Sequence, residues 1–301
     1  MKVLIAGGTG LIGSALAESL QKDGHQVSIL SRNPSKVRDR FLAVSWQKEA
    51  LNSAIAENQA LVNLAGESLA GSNLLQMRWT EKRKQDILSS RIAVGRKLAA
   101  GVKEVDSRPA VFIQASAIGY YGNNGTRPVD ETTPAGDDFL ARVCLDWEAT
   151  TQEVEEMGVR RVIIRTGLVL SQKGGLFPLL ALPFRLMVGG RIGSGKQYMS
   201  WIHITDVVSA IKYFLLHPDS RGIYNLTAPE PVTNLTFAHT LGKALHRPVW
   251  LPVPGLALKL LLGKAATLAL DGRQVFPSRL LASDFRFQYR ELPAALDDLV
   301  G

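Results

Sequence analysis

Three glycines near the start of the chain, Gly7, Gly10 and Gly13, are evenly spaced within the run from Val3 to Gly13, VLIAGGTGLIG. The chemistry this pattern permits is the cradling of a pyrophosphate. Gly7 lets the chain turn sharply off an apolar strand, Gly10 removes the side chain that would block a phosphate, and Gly13 lets the next helix pack against the sheet. That helix opens at Leu11 and Ile12, and its free N–H groups point at the phosphate oxygens. Roughly 20 residues further on, an NAD site would carry Asp or Glu for the ribose hydroxyls. This chain instead has Ser31 and Arg32 there. The guanidinium of Arg32 can stack on adenine and pair with a 2′-phosphate, and Ser31 can hydrogen-bond to it, so the expected cofactor is NADP(H). Leu64, Ala65 and Gly66 close another apolar run with small residues, where a ribose and diphosphate would cross the sheet edge.

Positioning these residues requires a parallel sheet. Short apolar runs at Lys2 to Ala6, Gln26 to Leu30, Ala60 to Leu64, Ala110 to Ser116 and Arg160 to Thr166 predict strands. Apolar residues at helical spacing over Leu11 to Lys22, Glu81 to Lys103 and Phe139 to Met157 predict the helices between them. Strand and helix alternating in this way give a sheet covered on both faces. After Thr166 the alternation loosens into Gly- and Pro-rich segments, which predicts a smaller second lobe. An apolar helix is expected there from Leu256 to Leu270.

Composition narrows the function classes. The 301 residues are 46% hydrophobic and 21% charged, enough to bury a large core. No apolar run is long enough to span a bilayer and the first residues lack a signal-peptide core, so the chain reads as cytoplasmic, with no membrane partner. A single cysteine, Cys144, permits neither an internal disulfide nor a cysteine metal cluster. No metal is expected. The net charge of +8 raises the question of nucleic acid, but the densest basic group, Arg78, Lys82, Arg83 and Lys84, has Glu81 and Asp86 interleaved and reads as a solvated helix face. The positive field suits an anionic ligand such as a dinucleotide.

With the glycine turn and the Leu64 strand end, the chain resembles the short-chain dehydrogenase/reductase superfamily. Gln114 to Gly122 (QASAIGYYG), Arg165-Thr166-Gly167 and Trp201 to Asp206 (WIHITD) resemble its extended, sugar-nucleotide epimerase-like branch. Asn63 to Glu67, Ser90-Arg91 and Asp146-Trp147-Glu148 further resemble the YfcH-type "epimerase family" proteins. The resemblance implies a Rossmann-type doubly wound parallel sheet over residues 1–166, with some later segments returning to it, and a smaller C-terminal α+β substrate lobe over 167–301. It also implies cofactor contacts at Ser31, Arg32, Leu64 and Ala65, and less directly at Asp86, Arg91 and Arg165, for each of which a structural salt bridge is the alternative. His203 and Asp206 are expected to hold the lobe junction, and Tyr198 to be a core aromatic. Relatives often dimerise through the helices around 81–103 and 139–157, so a homodimer is possible, although Arg78, Lys82 and Lys84 would charge that surface.

One part of the pattern is missing. Active relatives place a Ser near the fifth strand's end and a Tyr-x-x-x-Lys on the next helix, where the Lys lowers the phenol's pKa. Counting back from Glu148 puts Cys144 at the Lys position and Leu140 at the Tyr position. Ser116 falls within one residue of the Ser position, and Tyr121 or Tyr120 is left as the proton donor. Two readings follow. One is an NADP(H)-dependent oxidoreductase or epimerase acting on a small polar or sugar-like substrate, biased toward carbonyl reduction. The other is an NADP(H)-binding redox sensor or scaffold without turnover. A phenol near its free pKa of about 10 is under ~1% ionised at neutral pH and scarcely a base. UDP-sugar epimerisation by the purified protein should therefore be absent or very slow, and rapid turnover in a coupled assay would contradict this.

Overall fold

The structure is a computed structural model and describes residues 1–37, 40–69, 78–123 and 125–301. Its centre is a seven-stranded, wholly parallel sheet. In chain order the strands are β1 (Lys2–Ala6), β2 (Gln26–Leu30), β3 (Leu42–Val44), β4 (Ala60–Asn63), β5 (Val111–Ala117), β7 (Arg160–Thr166) and β11 (Gly222–Leu226), with the two-residue strand β6 (Pro128–Val129) lying outside the sheet. The spatial order is β11-β7-β5-β4-β1-β2-β3. Strand order reverses between β1 and β4, so a crevice opens at the C-terminal ends of those two strands, where doubly wound sheets bind ligands.

The sheet is buried on both faces because its strands are apolar on both. In β1, Val3 and Ile5 pack on one side with Leu16 and Leu20 of α1 (Leu11–Lys22), while Leu4 and Ala6 pack on the other with Leu51 of α2 (Lys48–Glu57) and Leu98 of α3 (Glu81–Glu104). β3 and α2 carry no strong pattern, and sequence reasoning passed over both.

The helix expected over Phe139 to Met157 is shorter. As α4 (Phe139–Ala149) it ends where Thr150 turns its hydroxyl back onto the Trp147 carbonyl, 2.6 Å away, and β-branched threonines favour leaving the helix there. The remaining residues form a separate 3₁₀ turn, Gln152–Val154.

The second lobe contains β8 (Leu168–Leu170), α5 (Phe177–Arg185), β9 (Tyr198–Met199), β10 (Trp201–His203), β12 (Val232–Thr233), α7 (Asn234–Ala244), α8 (Gly255–Leu262), α9 (Thr267–Leu270), β13 (Gln274–Val275) and α11 (Leu292–Val300), while α10 (Ser278–Leu281) puts Leu280 into the core of β1 and α1. Its core joins Phe177, Phe184, Trp201, Phe237, Leu241 and Leu296. Between β10 and β12 the chain returns to the first lobe, as α6 (Ile204–Leu216), whose Val207, Ile211 and Phe214 share the core of β1 and α1, and then as β11 at the sheet edge. The helix expected from Leu256 to Leu270 is broken by Gly263, whose φ of +58° is a left-handed conformation that stops α8. No helix among the described residues is long and apolar enough to cross a membrane.

His203 and Asp206 tie the end of the chain to α6. Nδ1 of His203 accepts the Thr205 N–H at 3.2 Å and caps the helix, while its ring lies 4.0 Å from that of Tyr289. Asp206 is fully buried and accepts the backbone N–H groups of Gln288 and Tyr289 at 2.7 and 2.9 Å. Burial pushes its pKa up, and these two hydrogen bonds oppose that. Removing both acceptors by Asp206→Ala should lower stability in urea unfolding by about 2–4 kcal/mol. Asp206→Asn, which keeps one acceptor oxygen, should lose less.

Candidate active site

The glycine turn is tight for reasons that differ at each glycine. Gly7 has φ +82°, and a Cβ there would sit 2.7 Å from the Leu64 carbonyl carbon. At Gly13 a Cβ would come within 2.2 Å of the Gly7 carbonyl oxygen. These two glycines hold the turn against β4 and α1. Gly10 is different, since the nearest protein atom to a Cβ there is the Gly7 oxygen at 3.3 Å. The fold is less demanding at Gly10, where a Cβ would be tight against this one oxygen only, and its missing side chain leaves room for a ligand beside the N-terminus of α1. Thr9 and Gly10 are exposed, and Leu11 and Ile12 half-buried.

The end of β4 faces this turn. Asn63, fully buried, donates to Gln114 Oε1 at 3.0 Å and accepts the Ala65 N–H at 3.2 Å, which sets the path of Leu64 and Ala65. Gly66 is exposed, and the loop beyond it is clamped onto α3, where Ser90 accepts the Glu67 N–H and Arg91 donates to the Glu67 carbonyl at 3.0 Å. At the end of β2, Ser31 accepts the Asn33 N–H at 3.0 Å. Arg32 is exposed, and among the described residues its guanidinium makes no hydrogen bond or ion pair.

Ser116, Tyr121 and Arg165 also come together, in a buried polar network. Arg165, 1% exposed, donates from Nε and Nη2 to the two carboxylate oxygens of Glu148, both at 2.9 Å. Ser116 donates to Glu148 Oε1 at 2.6 Å. Arg165 Nη1 donates to the Tyr121 hydroxyl at 3.1 Å, and that hydroxyl donates to Asn225 Oδ1 at 2.8 Å. The ring of Tyr120 lies under the guanidinium, 3.2 Å from its carbon. Burial alone would pull Arg165 down, but the hydrogen bonds and charge of Glu148 more than offset it and hold its pKa above the ordinary value. Burial pushes the Tyr121 phenol up to about 12 against the pull of Arg165.

The structure changes the expectations for five of these residues. Tyr121, 1% exposed and with its proton held by Asn225, is not placed to give a proton to a substrate, and Ser116 is committed to Glu148. Tyr120 stacks on Arg165. Arg165 directs all three guanidinium nitrogens to Glu148 and Tyr121, the structural ion pair named as the alternative to a cofactor contact. Asp86 is exposed on α3 and lies outside the cavity described next. Sequence reasoning had used Glu148 only as a counting mark; an acid one turn beyond Cys144 on an apolar helix face was the available signal.

Beyond the ends of β5 and β7 lies a cavity of about 450 Å³, lined by Ala117, Thr166 and Gly167 among others. Leu140 and Cys144 of α4, the positions counted to the Tyr and Lys of the dyad, both face it beside Gly119. Burial, together with the nearby Glu148 charge, pushes the Cys144 thiol up to about 11. α5 and α8 supply further apolar lining, including Leu180, Phe184, Leu258 and Leu262. Arg91 lines the same cavity with its guanidinium 4.9 Å from the centre of the Trp147 ring, and burial lowers its pKa to about 10, so it stays charged at neutral pH. Tyr198, half-buried, is the one tyrosine among the described lining residues, and no group among the described residues hydrogen-bonds its hydroxyl.

A glycine turn at the switch point of a doubly wound sheet, with a cavity beyond the ends of β5 and β7, defines a dinucleotide-binding fold of the extended reductase type. Comparison with known proteins places it further. A family model described as "NAD dependent epimerase/dehydratase family" matches residues 3–227, and a model for a domain of unknown function, DUF1731, matches residues 253–299. The chain belongs to the NAD dependent epimerase/dehydratase family. It is 38% identical to "Epimerase family protein YfhF" of Bacillus subtilis over 100% of this chain and 98% of that one. It is also 38% identical to "Epimerase family protein SDR39U1 homolog, chloroplastic" of Arabidopsis thaliana over 98% of this chain and 86% of that one. Among solved structures, human epimerase family protein SDR39U1 (isoform 2) with NADPH superposes with a TM-score of 0.91 at 35% identity, covering 100% of this chain and 99% of that one. A likeness to the UDP-glucose 4-epimerase of Thermus thermophilus, at 17% identity and a TM-score of 0.72, shows the fold alone.

Tyr121→Phe would leave Asn225 Oδ1 without its donor and Arg165 Nη1 without its acceptor. It should lower stability by about 1–3 kcal/mol in chemical denaturation and leave dinucleotide affinity unchanged in titration.

Proposed function

We propose that the protein is an NADP(H)-dependent reductase of a carbonyl compound held in the cavity beyond β5 and β7. The observation that carries this reading is that Arg91 of the cavity wall packs on Gly66, in the loop whose Leu64 and Ala65 lie against the glycine turn. A Cβ at Gly66 would stand 3.2 Å from the Arg91 guanidinium. The residues present suit the cofactor. Gly10 leaves open the place of a pyrophosphate at the start of α1. Arg32, without a partner among the described residues, and Ser31 stand where a 2′-phosphate would need a cation and a hydroxyl. The human relative solved with NADPH supports the same choice.

A bound reduced nicotinamide supplies hydride. The protein's part is to hold a carbonyl at the cavity's sheet end, keep water away with apolar walls, and give a proton to the carbonyl oxygen as its carbon takes the hydride. Tyr198 is the phenol we place in that role, because it lines the cavity while Tyr121 does not. No base is needed in this direction, which suits a site where Leu140 and Cys144 stand in place of a Tyr–Lys pair. That same replacement favours the second reading, a binding module without turnover. Substrate-dependent NADPH oxidation, lost in Tyr198→Phe but retained in Tyr121→Phe, would decide for the enzyme.

For the cofactor, Arg32→Ala should remove most of the preference for NADPH over NADH. A charge-assisted contact is worth about 1.5–3 kcal/mol, a factor of roughly ten to a hundred in dissociation constant. Gly10→Val should abolish binding of both while the protein remains folded by circular dichroism. Equal wild-type affinity for the two cofactors would refute the assignment of Arg32.

A further inference from the structure

The cavity wall is mostly apolar, and the charged residues among its described lining are two arginines, Arg91 and Arg273, each 8% exposed. Their hydrogen bonding differs. Arg91 spends Nη1 on the Ile87 carbonyl at 2.9 Å and Nη2 on the Glu67 carbonyl at 3.0 Å. Arg273 donates from Nε to the Gly122 carbonyl. Its terminal nitrogens Nη1 and Nη2 make no hydrogen bond among the described residues; Nη2 forms a long ion pair with Asp138 at 3.7 Å, beyond hydrogen-bonding distance, and Asp271 adds a second negative charge nearby. The backbone on either side is tied down, since Ser200 donates to the Arg273 carbonyl at 2.6 Å and accepts the Val275 N–H at 2.9 Å. A buried guanidinium whose fork has only a long ion pair and no hydrogen bond is costly unless something completes it.

Of the other polar lining groups, the Tyr198 hydroxyl and Trp147 Nε1 have no hydrogen bond among the described residues, and Ser200 and Asn234 are engaged. Ser200 is used as just described, and the Asn234 side chain accepts the Ile192 N–H at 2.7 Å and donates to Met199 Sδ at 3.3 Å. A sugar would bring several hydroxyls into this cavity and find few partners for them, each unpaired group costing about 1–3 kcal/mol. An apolar molecule with a single planar anion meets the wall on better terms, because a carboxylate matches the guanidinium fork with two parallel hydrogen bonds. A dianionic phosphate would be harder to remove from water among so many apolar side chains.

The geometry points to a substrate with an apolar body and one carboxylate, held by the terminal fork of Arg273 in the cavity above Ala117 and Cys144. This deepens the reductase reading, on which it rests: the substrate class is an oxo acid or other carbonyl compound bearing a carboxylate, not a sugar nucleotide. Arg273 then binds and orients while Tyr198 gives the proton.

Octanoate and its neutral analogue octanamide test this without turnover. Their binding to the full-length protein is measured by isothermal titration calorimetry, with and without saturating NADPH. Octanoate should bind about tenfold more tightly than octanamide. Arg273→Gln should bring the two within about twofold by weakening octanoate alone, and Arg273→Lys should keep part of the difference. Equal affinities in the wild type, no binding of either compound, or a preference that survives Arg273→Gln would each overturn the proposal. Should Arg273→Gln fail to fold, the wild-type comparison and Arg273→Lys decide. An octanoate preference in a protein that does not bind NADPH would defeat the cofactor reading and not this one; NADPH binding without the preference would do the reverse.

Discussion

At the end of β7, Arg165 and Glu148 share two hydrogen bonds of 2.9 Å with almost no access to water. Removing two charges from solvent costs several kcal/mol per ion, so such a pair persists only when nearly every donor and acceptor around it is matched. Here the match takes in β5 through Ser116, the turn after β5 through Tyr120 and Tyr121, and β11 through Asn225. One ion pair therefore locks three neighbouring strands and α4 into a single arrangement at the ligand-binding edge of the sheet. Removing one partner would strand the other charge, a loss of about 3–5 kcal/mol.

The lock has a chemical consequence. Hydroxyls that look available from the sequence are used up in neutralising and solvating the pair, and the Tyr121 phenol is held at about 12 by burial. One turn back on α4, Cys144 faces the cavity as a neutral thiol and Leu140 beside it is inert. The first lobe supplies the cofactor cradle and an apolar floor with Arg91. The groups that could act on a substrate, Tyr198 and Arg273, come from the second lobe. A division of this kind makes the site depend on the contact between lobes, which Asp206 and the His203 cap help to hold by fastening the last segment to α6.

Much of this was legible in the sequence where the signal was local. The glycine turn could be read residue by residue because steric demand is set by near neighbours, and Gly7 and Gly13 meet it as expected, with would-be Cβ contacts of 2.7 and 2.2 Å. The central strands β1, β2, β5 and β7 were visible as apolar runs, since a strand buried on both faces needs one. The edge strand β3 was not, being three residues long and partly exposed. The helix in the second lobe was read too long because apolar content continues through Gly263 while the backbone does not.

The sequence by itself determined the fold class, the dinucleotide turn and the absence of the Tyr–Lys pair, because each depends on residues within a few positions of one another. Only the tertiary structure decided what the polar residues do. Glu148 and Arg165 are 17 positions apart, and Tyr121 and Asn225 are 104 apart, so their pairing is invisible to periodicity. Whether a serine or tyrosine is a free donor or part of a buried network depends on which charge the folded chain brings beside it. The same holds for Arg273, whose fork without a hydrogen bond shows only when β13, β9 and the turn after β5 are brought together around one cavity.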